Sequence, residues 1–184
     1  ADSFNKQWLG YTESKGSEFL RRDISATYTS LSPEEILVCA GAQEPIFLFS
    51  QALLQPGDEV VVQYPCYQSV ESVPESIGCK VLKWTARYQD DKFIFDLNEL
   101  AQLITSRTKV IYLNSPNNPT GYHFSKEEQL AIIELARKHN CIIFSDEVYC
   151  GLEQKPEYVI PAFADIYEHG VSLNVMSKAY GLAG

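Results

Sequence analysis

Apolar residues along this chain gather into short β-branched runs that alternate with segments of helical period, and this alternation sets the expected elements. Glu59 to Gln63 (EVVVQ), Cys79 to Trp84, Thr108 to Leu113 (TKVIYL), Cys141 to Phe144 and Val171 to Met176 each predict a buried strand, and Ile36 to Ala40 (ILVCA) predicts a further one. Helices are expected where the period lengthens. Phe19, Leu20 and Ile24 share a face behind a Ser17 cap, and Ile46 to Leu54 reads as a mostly buried helix stopped by Pro56-Gly57. Asp96 caps a helix that carries Leu97, Leu100, Leu103 and Ile104 on one face. Ser125 and Glu128 form a capping box ahead of Leu130, Ile132, Ile133 and Leu135. Gln68 to Ile77 is expected to be helical, kinked or shortened by Pro74. The opening around Trp8 and Tyr11, the polar stretch Arg87 to Phe95 and the proline-containing Gln154 to Pro161 read as irregular surface segments. Strand and helix alternate over almost the whole chain, which predicts an α/β fold with a mostly parallel sheet and helices on both faces.

Composition narrows the classes. A chain of 184 residues, 45% hydrophobic, suits one domain or a large lobe with a sizeable core. A net charge of -9 argues against a nucleic-acid partner, which needs a basic face. The five cysteines, Cys39, Cys66, Cys79, Cys141 and Cys150, form no CxxC pair and have no clustered histidines nearby. They read as reduced core residues of a cytoplasmic protein, with no metal site and no disulfide frame. No apolar segment approaches a membrane span, and the first residues lack a signal-peptide pattern. The single methionine is Met176, so a chain trimmed at its front is expected.

Candidate chemistry lies at the strand ends. Asn114 to Gly121 (NSPNNPTG), Ser145 to Tyr149 (SDEVY) and Ser177-Lys178 each follow a β-branched run, so they are expected to converge on the carboxyl edge of a parallel sheet, where open α/β folds bind ligands. A lone lysine reads as a solvated surface residue, and it is the company of the other two stretches that singles out Lys178. Gly41-Ala42-Gln43, between a predicted strand and a helix, fits either a phosphate site at a helix N-terminus or an ordinary turn. Asp146 also fits a helix N-cap, Asn118 a turn former before Pro119, and Tyr67 and Tyr149 core aromatics. The residue types by themselves leave these readings open.

Taken in order, the motifs are Gly41-Ala42-Gln43, Pro56-Gly57-Asp58, Pro65-x-Tyr67, Asn114-x-Pro116-x-Asn118-Pro119-Thr120-Gly121, Asp146-x-x-Tyr149 and Ser177-Lys178-x-x-Gly181-Leu182. Each is weak alone, but in this order the chain resembles the fold-type-I pyridoxal-phosphate enzymes, specifically the class I and II aminotransferases. The resemblance covers nearly the whole chain. It implies a cofactor-binding large domain over residues 1–184, pyridoxal 5'-phosphate as cofactor, and transfer of an amino group between an amino acid and a 2-oxo acid. Among side chains only lysine supplies the primary amine that imine chemistry needs. The resemblance makes Lys178 that Schiff-base lysine and the base for the substrate's α-proton. It makes Asp146 the carboxylate that keeps the pyridine nitrogen protonated, so that the ring acts as an electron sink. Tyr149 and Asn118 take the place of donors to the ring's phenolic oxygen, and Tyr67 that of the aromatic stacked on its face. Gly41, Ala42, Gln43 and the Ser177 hydroxyl correspond to the phosphate grip. Tyr11 corresponds to a tyrosine that reaches a neighbour's phosphate across a homodimer.

The sequence departs from the family in two ways. Val175 stands where many relatives carry a phosphate-binding serine. The chain also stops before the family's phosphate-binding arginine, its C-terminal small domain and the antiparallel strand that follows the lysine loop, so an incomplete sheet with an exposed edge, part of a longer enzyme, is expected. Two alternatives share the scaffold: a lyase or cyclase that starts from the same imine, and a non-catalytic binding or dimerisation module.

Overall fold

The computed structural model describes residues 10–11 and 13–183. They divide into two compact units at the Cys39/Ala40 junction. Trp8 lies outside the described residues.

In the first unit, α1 (Glu18–Ser25) begins as expected behind Ser17, whose Oγ accepts the Leu20 N–H at 3.4 Å. Arg21, 5% exposed, donates to the carbonyls of Gly16 and Pro33 and to the Glu34 carboxylate. The strand expected over Ile36 to Ala40 does not form. Ile36 has extended dihedrals, but no ladder includes the segment among the described residues, and the Val38 N–H donates instead to the Lys15 carbonyl at 2.9 Å. Strand-forming residues make a strand only where a neighbouring backbone accepts their hydrogen bonds.

The second unit runs α2 (Gln43–Leu53), β1 (Glu59–Tyr64), α3 (Gln68–Ile77), β2 (Lys80–Thr85), β3 (Arg87–Gln89), β4 (Lys92–Ile94) and α4 (Leu97–Leu103). It continues through β5 (Thr108–Asn114), α5 (Lys126–His139), β6 (Ile142–Asp146), α6 (Phe163–Ile166) and β7 (Gly170–Leu173). Five strands form a wholly parallel sheet in the order β2-β1-β5-β6-β7. Alternation along each strand divides the core between the two faces. Val61, Ile111, Leu113 and Ile143 pack with Leu100, Ile132, Ile133 and Phe163 from α4, α5 and α6. Val60, Val62, Val110, Tyr112 and Phe144 pack with Ile46 of α2 and Val70 of α3. Helices therefore cover both faces, as the alternation predicted.

The chain leaves β1 for β2 on one side and returns to β5 on the other, so the order reverses between β1 and β5. Register then levels the strand ends: Asn114 pairs with Asp146, and Asp146 with Leu173.

Several expectations are corrected. Pro74 sits buried inside an uninterrupted α3, because Val70 and Ile77 on that helix pack on the sheet and tertiary burial outweighs the lost backbone bond. Arg87 to Phe95 folds back as the antiparallel β3–β4 ribbon. β7 ends at Leu173 rather than Met176, since β6, its partner, ends at Asp146. Of the five cysteines only Cys141 is buried, the others being half-buried. Among the described residues no helix is long and apolar enough to cross a membrane.

Candidate active site

Where the apolar alternation of β1, β5 and β6 runs out, buried polar residues take over: Gln63, Asn114 and Asp146, exposed by 1%, 4% and 4%. Asn114 joins them. Its N–H donates to Gln63 Oε1 at 2.8 Å, its Nδ2 to the Asp146 carbonyl at 2.8 Å, and its Oδ1 accepts the Asn118 N–H at 2.7 Å. Gln63 Nε2 is buried without a partner.

The Asp146 carboxylate accepts the Val148 N–H at 3.2 Å, and a turn rather than a helix follows, so Asp146 caps no helix. Burial pushes its pKa up to about 6, while the Val148 N–H and the Lys178 ammonium pull against that rise. Lys178 is exposed in the loop beyond β7, with Nζ 5.8 Å from the centroid of the Tyr149 ring. Lys178, Asp146 and Tyr149, which are separated by up to thirty-two positions of sequence, are thus brought together. The lysine loop closes on itself through Gly181 N–H to the Lys178 carbonyl and Leu182 N–H to the Met176 carbonyl, at 3.1 and 3.0 Å.

Glu147 steadies the strand that delivers this loop. Its N–H donates to the Leu173 carbonyl at 2.8 Å, and its Oε1 accepts from Phe163 N and Ser172 Oγ at 3.0 and 2.8 Å. Burial raises its pKa to about 7.

A second group lies at the start of α2. Gly41 has φ +79°, a left-handed conformation that strains any side chain, and Ala42 stands at the N-cap with no side chain capping the helix. Gln43 Nε2 donates to the Tyr67 hydroxyl at 2.5 Å. Ala42, Tyr149 and Val175 all pack against one buried cluster on the α2 face of the sheet, which links the two groups. Asn118 is exposed and Ser177 half-buried, and among the described residues no hydrogen bond joins either side chain to the Lys178 group. Tyr11, in the first unit, is fully exposed. A cavity of about 390 Å³ lies at the opposite, amino edge of the sheet, lined by Lys109, Ile142, His169 and Gly170 among others.

Sequence reading overlooked the side-chain roles of Gln63, Asn114 and Glu147. The available signal was a polar residue closing an apolar strand run, a position that is buried and must therefore find partners.

A family profile described as aminotransferase class I and II matches residues 3–184. An arginine–pyruvate transaminase of Pseudomonas aeruginosa is 34% identical over 180 residues, 95% of this chain and 46% of that protein. An aspartate aminotransferase of Sulfolobus acidocaldarius is 36% identical over 185 residues, 96% of this chain and 46% of that protein. The crystal structure of a PLP-dependent aminotransferase from Streptococcus suis superposes with a TM-score of 0.92 at 33% identity, covering 100% of this chain and 48% of that one. The chain thus spans about half the length of the relatives it matches. With a family profile that matches nearly the whole sequence and a parallel sheet that superposes on a solved member, the chain belongs to the class I and II aminotransferase family.

Proposed function

We propose that this sequence is the cofactor-binding large domain of a pyridoxal-phosphate-dependent aminotransferase, which moves an amino group between an amino acid and a 2-oxo acid. One observation carries the reading: at the carboxyl edge of the sheet the Lys178 amine lies 5.8 Å from the centroid of the Tyr149 ring and near enough to the buried Asp146 carboxyl to act on it electrostatically.

The residues fit the cofactor chemically. Asp146 is buried with a backbone N–H as its hydrogen-bond donor, and its raised pKa marks an unmet need for a cationic partner, which a protonated pyridine nitrogen supplies. The uncapped start of α2 after Gly41 suits a phosphate dianion. When bound, the cofactor supplies an electron sink for the pair left on the substrate's α-carbon. On this reading Lys178 offers the primary amine that holds the cofactor covalently, and takes up and returns the α-proton. Asp146 keeps a proton on the ring nitrogen. Tyr149 and Asn118 donate to the phenolic oxygen, and Tyr67, steadied by Gln43, packs on the ring face. Backbone N–H groups of the Gly41, Ala42 and Gln43 turn and the Ser177 hydroxyl hold the phosphate. We place the enzyme in the cytoplasm as a homodimer, with Tyr11 directed to the neighbour's phosphate; five cysteines with no CxxC pair support a reducing compartment.

Adding pyridoxal phosphate to the intact protein should produce a visible absorption band that Lys178→Ala abolishes, and borohydride reduction with peptide mapping should place the label on Lys178. Label scattered over surface lysines, or a band that survives the substitution, overturns the reading. Product analysis with and without a 2-oxo acid separates transfer from elimination or ring closure.

A further inference from the structure

Asn114 touches neither Lys178 nor Tyr149 through any hydrogen bond described, yet its amide group spans the two places from which the ring contacts are proposed to come. Asp146 and Asn118 lie on different elements, one ending β6 and the other in the loop after β5. Backbone pairing levels Asn114 with Asp146, and β5 ends there, so no ladder extends to the loop. The Asn114 side chain takes over that task. Through Nδ2 it donates to the Asp146 carbonyl, which also accepts the Ser115 N–H at 3.2 Å, so the peptide bearing the carboxyl group is held by two donors. Through Oδ1 it accepts the N–H of Asn118, a residue that is exposed.

Few side chains can do both. The task needs a donor and an acceptor on one planar group, at the reach of a single methylene, in a site 4% exposed. Aspartate lacks the donor and sets a charge against a carbonyl oxygen. Leucine has the shape and neither polar atom, and serine is too short to reach both partners. A simple turn role for asparagine accounts for the Oδ1 contact but not for the bond to the neighbouring strand.

We infer that Asn114 is a positioning residue that sets the spacing between Asn118 and Asp146, so that the donor to the ring oxygen and the partner of the ring nitrogen stand at matched positions. This rests on the proposed function, and it adds to that function a residue that acts only through others.

The test compares wild type, Asn114→Leu, Asn118→Ala and the double variant in the intact protein, with pyridoxal phosphate as the probe. In the cofactor-free protein, Asn114→Leu should speed amide hydrogen exchange at Asn118 by about tenfold or more, the scale of one lost buried hydrogen bond. In the loaded protein it should weaken cofactor binding by about tenfold and move the apparent pKa of the visible band in the same direction as Asn118→Ala. The double variant should move the band by less than the sum of the two single shifts, because part of what Asn114 does to the band passes through Asn118. A merely structural role lowers stability without moving the band. Should the leucine variant not fold, Asn114→Ser, which admits water in place of the amide, carries the same expectations. Unchanged exchange at Asn118, an unmoved band, or shifts that add in the double variant would each overturn the inference while leaving the cofactor assignment intact. A wild type that forms no band on Lys178 removes the assignment and the inference together.

Discussion

Asp146 is the residue whose environment demands most of the fold. Its folded pKa of about 6 lies above the value of about 3.9 for an unfolded aspartate. Protonation therefore favours the folded state, and the ionised form is penalised as pH rises through that window. Asp146→Asn keeps the shape and removes the charge, so it should stabilise the cofactor-free protein at pH 8 by about 3 kcal/mol, at ~1.4 kcal/mol per pKa unit. The gain should shrink toward nothing near pH 4, and urea titrations at the two pH values measure it. The same substitution should remove the visible band's normal protonation behaviour, which separates a residue kept for chemistry from one kept for stability. Asp146, Tyr149 and Lys178 were legible in the sequence because each stands within a few positions of a strand end. The amide of Asn114 was not, since its partners Gln63 and the Asp146 carbonyl lie 51 and 32 positions away.

Among the elements, β7 carries the lysine loop and is the most exposed to disruption. It has four residues and, among the described residues, lies at one edge of the sheet and pairs only with β6. Gly170 opens it so closely under α6 that a Cβ there would stand 2.4 Å from the Phe163 carbonyl oxygen. Gly170→Ala must push α6 and the start of β7 apart, at a cost of about 1–3 kcal/mol. Because Glu147 bridges the same two elements through Phe163 N and Ser172 Oγ, the strain should reach the lysine loop. The expected outcome is a lower denaturation midpoint together with faster hydrogen exchange across β7, while exchange in β1 and β5 keeps its wild-type rank. Periodicity located the central strands to within a residue or two, since an apolar run bounded by turn residues is a local signal. It erred at Ile36 to Ala40, where the residues favour a strand and no neighbouring backbone pairs with them, and it passed over the four-residue α6, too short to show a period.

At the scale of the whole molecule, ionisation sets an optimum in pH. Asp146 and Glu147 are adjacent, both raised by burial, and Glu147 is raised further by the charge of Asp146. Between about pH 5 and 7 the folded state holds more protons than the unfolded chain, so stability must fall as pH rises. In the other direction, Glu168 is held at about 2 by hydrogen bonds from Arg137, and Glu34 is lowered by Arg21 and Lys15, so what these exposed pairs contribute is lost on acidification below about pH 4.5. The cofactor-free protein should therefore show its highest thermal midpoint near pH 5 and a lower one at pH 8, and Glu147→Gln should flatten that decline. A midpoint that climbs steadily from pH 5 to pH 8 would contradict the buried state of both carboxyls.

The sequence by itself determined the alternation of strand and helix, the helix caps at Ser17, Asp96 and Ser125, and the ordered motifs that end in Lys178, because all of these reside in short spacings and local periods. Only the tertiary structure decided the lateral order β2-β1-β5-β6-β7, the register that levels Asn114 with Asp146 and Leu173, and the buried amides and carboxyl that tie those strand ends together. Those features depend on which distant backbone lies alongside and on what is shut away from water, and no local pattern of residues encodes either.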